Sequence, residues 1–455
     1  MKDDSKSWGE FYDAYSHRPH VIVRNQEIEI RGRSLVLHED AGHRSEVRNE
    51  ECIRKVNATI AREIEPFPHI KMVLNYTDDN FNPGAHEFVL QFRVGSHTFL
   101  GNGSMQENLL QDHTGTMNLI LTRTVNQTLG FDTLGKEEIM IIRFYLPNFV
   151  CPLELSAGNW RIKLSNSPKD DGSVSFIEII RQESKALYSL SHIGTLTRGN
   201  GEQFTLKQAL DELVSMHVFL SFLRGFWVAP IMLTGFGKDD TPAWYLHTLR
   251  DTRDLSQKQG IESWFDPSTS RDFAPTVFSG FYNLYNEKDA NNRELWKDSL
   301  REAIGWYVMS NTLQNTQATI GVNGAIVFTQ TALELLSWVY ITQYRKMLST
   351  EGFQNLKCYD QLHLLFSALD IPLDMPQEIR AVDLKEWGNG PRALIKLRNR
   401  IVHADPKKIS RDAASEGWQL GQWYLELVFL RLFGYSGKYR NRISKRVELV
   451  PWAPR

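Results

Sequence analysis

The sequence has few cysteines and lacks the common motifs of metal and nucleotide sites. Only Cys52, Cys151 and Cys358 occur in 455 residues, and no two of them form a CxxC pair. This argues against a disulfide framework and a cysteine zinc site, and it is typical of the reducing cytoplasm. There is also no HExxH motif and no GKS or GKT phosphate loop. We therefore expect neither a metal nor another cofactor.

Charge and hydropathy do not assign the chain to a class of partner. The formal net charge is −2, and the N-terminal sequence MKDDSKSWGEFYD lacks the apolar core of a signal peptide. Two apolar stretches approach the length of a membrane span, but Arg224 and Pro230 interrupt residues 213–236, and Glu334 lies within residues 321–341. Both stretches are expected to be buried in protein rather than lipid. These features predict a cytoplasmic protein with no membrane partner.

The first half of the chain is predicted to be rich in β-strands. Apolar residues alternate with polar ones in short runs at residues 88–94, 117–121, 140–146 and 160–164. Period-two alternation between turn sequences such as Asn-Pro-Gly is the pattern of half-buried strands. A capping box at Thr205 and Gln208 then predicts a helix, and a hairpin is expected after Gly225. We predict a tail over residues 1–18 and a β-rich, sandwich or barrel-like domain over residues 19–248.

The second half is predicted to be helical. Between residues 293 and 440, apolar residues recur at helical spacing in five segments, which indicates a bundle. Pro391 is placed as the first residue of the fourth helix, and Gly434 ends the last one. Residues 249–292 are polar and rich in turn residues, so they are predicted to connect the domains, and residues 441–455 to form a tail. The predicted fold class is α+β with several domains.

The most informative motif lies in this fourth helix. It is Arg398-Asn399-Arg400-Ile401-Val402-His403, within LIKLRNRIVHADPKK. Arginine binds phosphate through a rigid fork that is always charged, and histidine exchanges a proton near neutral pH. A structural interpretation is also open. Arg398 would then be an ordinary cation at a helix end, and His403 a C-terminal cap favoured by the helix dipole.

The motif and its place late in a helical bundle resemble the active motif of the HEPN superfamily, many of whose members are metal-independent endoribonucleases. A β-rich domain followed by such a bundle resembles the ApeA type of antiphage protein, as does Gln330–Trp338, QTALELLSW. The resemblance implies that the RNA 2′-hydroxyl attacks the neighbouring phosphorus and leaves a 2′,3′-cyclic phosphate. It also implies catalytic roles for Arg398, His403 and Asn399.

The same resemblance implies partners and a biological setting. HEPN nucleases commonly form the site across a homodimer of their motif helices. Structured or transfer RNA is the expected substrate, and antiphage defence or abortive infection is the expected setting. The N-terminal domain would hold the nuclease inactive until a phage-derived trigger arrives.

The spacing of the motif poses a geometric question. Arg398 and His403 are five residues apart, about 140° of rotation and about 7.5 Å of rise on an ideal helix, so they do not share a face. Pro406 favours a helix end before it, and His403 in a fraying last turn could then turn towards Arg398. Alternatively, two chains pair and each supplies both residues to one cleft.

Other side chains are assigned supporting roles. Glu334 is either an ordinary helix glutamate or the partner that holds the Arg398 guanidinium. Between residues 391 and 446 there are 13 Lys or Arg against four Asp or Glu, which favours RNA binding unless this is only a solvated face. Trp418, Trp423, Tyr435 and Tyr439 are candidates for base stacking. The cations assigned to RNA are Lys396, Arg400, Lys407 and Lys408.

Two other functions remain open from the sequence. The helical domain could be a non-catalytic HEPN-like module that dimerises or binds RNA or a nucleotide. The β-rich domain could instead bind a glycan or peptide, with the bundle as its scaffold.

Overall fold

The computed structural model divides the chain into two compact units. The first comprises Met1–Pro152, Leu164–Ala209 and Pro230–Ser256, and the second comprises Leu153–Lys163, Leu210–Ala229 and Gln257–Arg455. For residues 21–121 and 242–246, the backbone alone is described. The described residues are 21–36, 39–40, 43–44, 48–63, 69–76, 87–94, 97–109, 115–121, 138–149, 151–166, 191–238, 242–246, 263–267, 271–314, 319–403 and 409–454.

Six antiparallel strands of the first unit close into a barrel. A short hairpin, β2 (Glu39–Asp40) and β3 (His43–Arg44), follows β1 in the chain. The barrel order is β1-β4-β5-β8-β7-β6, and the pairing of β6 with β1 closes it. The predicted strands at residues 88–94 and 117–121 correspond to β6 and β8. The barrel strands are β1 (Val21–Val36), β4 (Arg48–Glu63), β5 (His69–Tyr76), β6 (Glu87–Val94), β7 (His97–Leu109) and β8 (Gly115–Leu121).

The predicted strands at 140–146 and 160–164 are also present. Strands β10 (Leu153–Ala157) and β11 (Trp160–Asn166) alternate between buried and exposed residues. In the first unit, four antiparallel strands have the order β12-β9-β13-β14. The β13–β14 pair is the hairpin expected after Gly225. These four strands are β9 (Ile141–Leu146), β12 (His192–Arg198), β13 (Ile231–Phe236) and β14 (Pro242–Leu246).

Helix α1 (Leu206–Arg224) begins at the predicted capping box. The Thr205 backbone N–H donates to Gln208 Oε1 at 3.0 Å, and the Gln208 N–H donates to Thr205 Oγ1 at 3.3 Å. Gly225 ends the helix with a φ of 72°, in the left-handed region that favours glycine. The sequence placed this whole helix in the β-rich domain, whereas Leu210–Ala229 belong to the second unit.

Helices form most of the rest of the second unit, so the chain combines an antiparallel sheet region with a helical C-terminal part, as the α+β prediction requires. Helices α5 (Thr350–Gln354) and α7 (Val382–Glu386), of five residues each, were not predicted. The helices are followed by a hairpin of β15 (Lys438–Arg440) and β16 (Val447–Leu449). The helices after α1 are α2 (Ala274–Tyr285), α3 (Ala290–Gln314), α4 (Thr319–Trp338), α5 (Thr350–Gln354), α6 (Cys358–Ala368), α7 (Val382–Glu386), α8 (Gly390–Val402) and α9 (Arg411–Leu432).

Residues 249–292, predicted to connect two domains, contain α2 and a buried segment around Trp264. Val277, Phe278 and Phe281 of α2 are fully buried, at the spacing of one helix face. Because polar residues surround this short apolar stripe, the sequence pattern did not reveal it. Phe222 of α1 joins the same core, since its ring centroid lies 5.3 Å from that of Trp264. Part of the predicted connector is therefore core of the second unit.

Helix α4, which continues as a π-helix over Val339–Tyr344, has the length and apolar composition of a possible membrane span over Gly321–Tyr344. Within the second unit, however, α4 packs against α3 and α9. Its Thr329 hydroxyl accepts a hydrogen bond from Gln422 Nε2 of α9 at 2.8 Å. This packing is that of a core helix.

Helix α9 is the centre of the second unit, and every residue from 420 to 430 is buried. Close packing against α8 depends on Gly417, because a Cβ there would lie 2.2 Å from Leu397 Cδ2. No side chain fits at that distance unless Leu397, or the helix that carries it, moves. Gly417 thus allows α8, which contains the motif, to lie directly on the core helix.

A buried carboxylate on α9 joins three other segments. Glu426 Oε1 accepts hydrogen bonds from the Trp264 backbone N–H at 3.1 Å, the Tyr307 hydroxyl at 2.7 Å and Arg442 Nη2 at 2.6 Å. Burial and the carboxylate raise the pKa of Tyr307 well above its ordinary value, so the phenol stays protonated and donates. Residues 441–455, predicted to be a tail, instead contribute a guanidinium that is 1% exposed.

Replacing Arg442 by alanine is expected to destabilise the second unit by about 3–5 kcal/mol, because it leaves the Glu426 carboxylate buried without its cation. Urea unfolding followed by tryptophan fluorescence measures this change. Arg446→Ala, at an exposed position in the same loop, is the matched control and should change stability by less than about 0.5 kcal/mol. Equal losses in the two variants would contradict the role of the buried pair.

Candidate functional site

The motif lies on α8, whose start follows from its local sequence. Asn389 is the N-cap, and its Oδ1 accepts a hydrogen bond from the Arg392 backbone N–H at 3.1 Å. Pro391 lies in the first turn, as predicted, where its missing N–H costs nothing. Leu394 and Leu397 are buried against the core. The helix is thereby held with its C-terminal turn, Arg398 to Val402, at the surface.

The three predicted catalytic residues lie at this C-terminal turn. Arg398 is half-buried, and its Nη1 donates a hydrogen bond to Asn399 Oδ1 at 3.2 Å. Asn399 and His403 are exposed. His403 is the C-cap of α8, and its backbone N–H donates to the Asn399 carbonyl at 2.9 Å. The backbone around His403 therefore has the geometry of the structural interpretation, while its imidazole faces solvent.

Arg398 and His403 do not meet within one chain. The helix stays intact to Val402, and among the described residues neither side chain forms a hydrogen bond to the other. The expected fraying that would turn His403 towards Arg398 is thus not observed. Convergence between two chains stays a prediction.

Glu334 is half-buried on α4, and its carboxylate has a partner on its own helix. Gln330 Nε2 donates to Glu334 Oε1 at 2.7 Å, across one turn of α4. Within the described part of the chain, no ion pair joins Glu334 directly to Arg398. A third residue nevertheless lies near both the Glu334 carboxylate and the Arg398 guanidinium.

That residue is Cys358, the half-buried first residue of α6. Burial raises the pKa of the Cys358 thiol, and the Glu334 carboxylate raises it further by charge and by hydrogen bonding. The Arg398 guanidinium acts in the opposite direction and lowers this pKa. A carboxylate from α4 and a guanidinium from α8 therefore both lie near one thiol of α6. Three helices thus meet beside the motif.

The predicted RNA-binding cations have different surroundings. Lys396 is half-buried on α8. The Arg400 guanidinium lies over the Trp387 ring, 4.6 Å from its centroid, which fixes its position by a cation–π contact. Lys407 and Lys408 lie outside the described residues.

The prediction of base-stacking aromatics is wrong. Trp418, Trp423, Tyr435 and Tyr439 are all buried. Their polar atoms bond within the core, for example Trp423 Nε1 to the Tyr439 hydroxyl at 3.0 Å. The proximity of these rings to basic residues in the sequence did not reveal their burial, and no base can reach them.

The count of cations also overstated the charge available to RNA. Three arginines of the basic stretch pair with carboxylates inside the second unit. Arg442 lies 2.6 Å from Glu426, Arg431 Nη2 lies 2.6 Å from Asp370, and Arg440 Nη1 lies 3.9 Å from Asp266.

In the part of the chain that the structure describes, no group of three or more His, Cys, Asp or Glu side chains is placed to hold a metal ion.

We refer to Gln330, Glu334, Cys358 and Arg398 as the cluster on α4, α6 and α8. Two of its members, Gln330 and Cys358, were not identified from the sequence. Gln330 and Glu334 have the i, i+4 spacing that brings side chains together on a helix, so Gln330 could have been found. Cys358 is 24 residues after Glu334 and 40 before Arg398. Only the packing of α4, α6 and α8 brings it to the motif.

The pKa of Cys358 tests this arrangement directly. Glu334→Gln is expected to lower it, because the variant removes a negative charge, and Arg398→Met is expected to raise it, because the variant removes a positive one. The pH dependence of iodoacetamide alkylation, followed by mass spectrometry of the Cys358 peptide, measures both shifts. Glu386→Gln, at an exposed position on α7, should leave the profile unchanged. Identical profiles in all four proteins would mean that these charges are not near the thiol.

Comparison with known proteins reveals similarity over most of the described chain. Residues 137–254 match the family model of the YopA central domain, and residues 293–450 match that of the YopA C-terminal domain. Over 287 residues the chain is 26% identical to the SPbeta prophage-derived uncharacterized protein YopA of Bacillus subtilis strain 168. The alignment covers 60% of this chain and 60% of that protein, so the chain spans about three fifths of the curated relative's length. No solved structure matches. The cluster on α4, α6 and α8 thus lies in the region similar to the YopA C-terminal domain.

Proposed function

We propose that the helical C-terminal part of the chain is a metal-independent endoribonuclease of the HEPN type. The observation that supports this most is the surface turn of α8. It carries the half-buried Arg398 guanidinium, the Asn399 amide bonded to it and the exposed His403 imidazole. A fixed cation, a polar side chain and a titratable group next to solvent are what phosphodiester cleavage requires.

In the proposed reaction, His403 takes the proton of an RNA 2′-hydroxyl, whose oxygen then bonds to the adjacent phosphorus. The bond from phosphorus to the 5′-oxygen breaks, and that oxygen takes a proton from solvent water as it leaves. The products are a 2′,3′-cyclic phosphate and a 5′-hydroxyl end. Arg398 stabilises the charge that grows on the phosphoryl oxygens, and Asn399, bonded to the guanidinium, holds it in place.

A homodimer would complete this site. Within one chain Arg398 and His403 do not meet, and Val402 next to His403 is an exposed apolar residue. Two α8 ends that pack together would bury this valine. They would also place the imidazole of one chain near the guanidinium of its partner.

The setting we propose is control by the N-terminal unit. A nuclease acting on structured or transfer RNA in the cytoplasm harms its own cell, so it must be inactive until a trigger is present. The β-barrel unit is the candidate regulator, and a phage-derived molecule is the candidate trigger. Similarity to a prophage-derived protein supports a phage-related setting, either antiphage defence or abortive infection.

A second candidate is a non-catalytic module that dimerises or binds RNA or a nucleotide. The C-cap geometry of His403 favours it, because a capping residue has a structural reason to be there. The two candidates differ in whether His403 is needed for cleavage or only for helix stability.

Arg398→Ala and His403→Ala are each expected to reduce RNA cleavage by about 10²–10³-fold, since each removes an electrostatic or proton-transfer contribution of that size. Cleavage of transfer RNA by the full chain, with EDTA present, measures the loss. Arg392→Ala is the matched control, because Arg392 is exposed in the first turn of the same helix. Equal cleavage by all four proteins would leave only the non-catalytic candidate.

Lys396→Ala is expected to weaken RNA binding and to reduce the slope of log K against log salt concentration by about 0.7 for a single-stranded RNA. Fluorescence anisotropy over a salt series, with the catalytically impaired His403→Ala protein as background, measures the slope. Lys207→Ala, at an exposed position on α1, is the control. A slope that does not depend on Lys396 would remove this residue from the RNA interface.

A further inference from the structure

Gln330 is a buried amide at the inner end of the candidate site. Its side chain is 4% exposed, and its Nε2 donates to Glu334 Oε1 at 2.7 Å. A hydrogen bond from a neutral donor to a carboxylate is stronger than one between neutral groups. The Gln330 Oε1 atom is buried without a hydrogen-bond partner among the described residues, which is a cost that an apolar side chain would avoid. The bond to Glu334 is thus the interaction that explains an amide here.

The carboxylate that Gln330 bonds lies on α4, and α4, α6 and α8 pack against one another. Glu334 and Arg398 both act on the Cys358 thiol, with opposite effects. Opposite charges near one half-buried thiol attract each other. The Arg398 guanidinium therefore has the Asn399 amide as its hydrogen-bond partner, and the Glu334 carboxylate is an opposite charge close to the same thiol.

We propose that Gln330 is a positioning residue of this site. Its amide fixes the Glu334 carboxylate at the start of α6, and the carboxylate in turn orients the Arg398 guanidinium towards the scissile phosphate. The last step rests on the proposed nuclease function, whereas the first depends only on the arrangement of α4, α6 and α8.

The first step is tested without RNA. Gln330→Met keeps the length of the side chain but removes the donor, so the carboxylate is expected to leave Cys358. The pH midpoint for alkylation of Cys358 should then fall, in the same direction as in Glu334→Gln but by less. The double variant should match Glu334→Gln alone. Thr331→Val is the matched control, since among the described residues the Thr331 hydroxyl bonds only to the Val327 carbonyl of its own helix.

The second step is tested by RNA cleavage. Gln330→Met is expected to reduce kcat by about tenfold, the effect of losing one hydrogen bond to a charged group, with little change in KM. In an Arg398→Ala background the same change should have no further effect, because the residue that it positions is gone. Circular dichroism confirms that each variant is folded. Gln330→Asn, whose amide is too short to reach Glu334, replaces Gln330→Met if that variant is unfolded.

The two readouts separate the possible failures. An alkylation profile that is unchanged in Gln330→Met but shifted in Glu334→Gln overturns the positioning role, and so does a profile that neither variant shifts. A shifted profile with an unchanged kcat overturns the link from the carboxylate to Arg398. If the wild-type protein cleaves no RNA, the proposed nuclease function and the orienting step fail together. The alkylation profiles still decide whether Gln330 holds the carboxylate.

Discussion

The second unit depends on one buried ion pair, between Glu426 of α9 and Arg442 of the C-terminal loop. A carboxylate that is fully buried is stable only when cations and donors surround it. The three donors here come from the segment around Trp264, from α3 and from the C-terminal loop. Because α9 is held from three directions, it forms a rigid base for α8, which packs on it through Gly417. The position of the motif therefore depends on charges far from the motif itself.

The candidate site has a rigid part and an open part. The rigid part consists of Gln330, Glu334, Cys358 and Arg398, contributed by three helices that pack against one another. The open part is the end of α8, where Asn399 and His403 are exposed. A cation that binds phosphate benefits from the rigid part, since preorganised charge costs no reorganisation during the reaction. A proton-transfer group benefits from contact with solvent or substrate.

Local sequence was sufficient to predict the elements whose signals are local. The capping box of α1, the alternating strands and the start of α8 at Pro391 all depend on residues within a few positions of each other. The burial of α2 and of Arg442 depends in part on residues far along the chain, such as Phe433 for Phe281 and Tyr307 for Arg442. The burial of the four aromatic rings likewise depends on how the helices pack. No local pattern contains that information. The same reason explains Cys358, which reaches Glu334 and Arg398 only through helix packing.

The exposed imidazole of His403 has a consequence for control of the proposed nuclease. A general base works when a third group orients it against the proton that it takes, and within the described residues of one chain no side chain does this for His403. Orientation must then come from the RNA or from a second copy of the chain. If a second copy supplies it, the isolated chain is inactive and assembly is the step that switches cleavage on. A regulator would then need only to prevent two α8 ends from meeting, without touching Arg398 or His403.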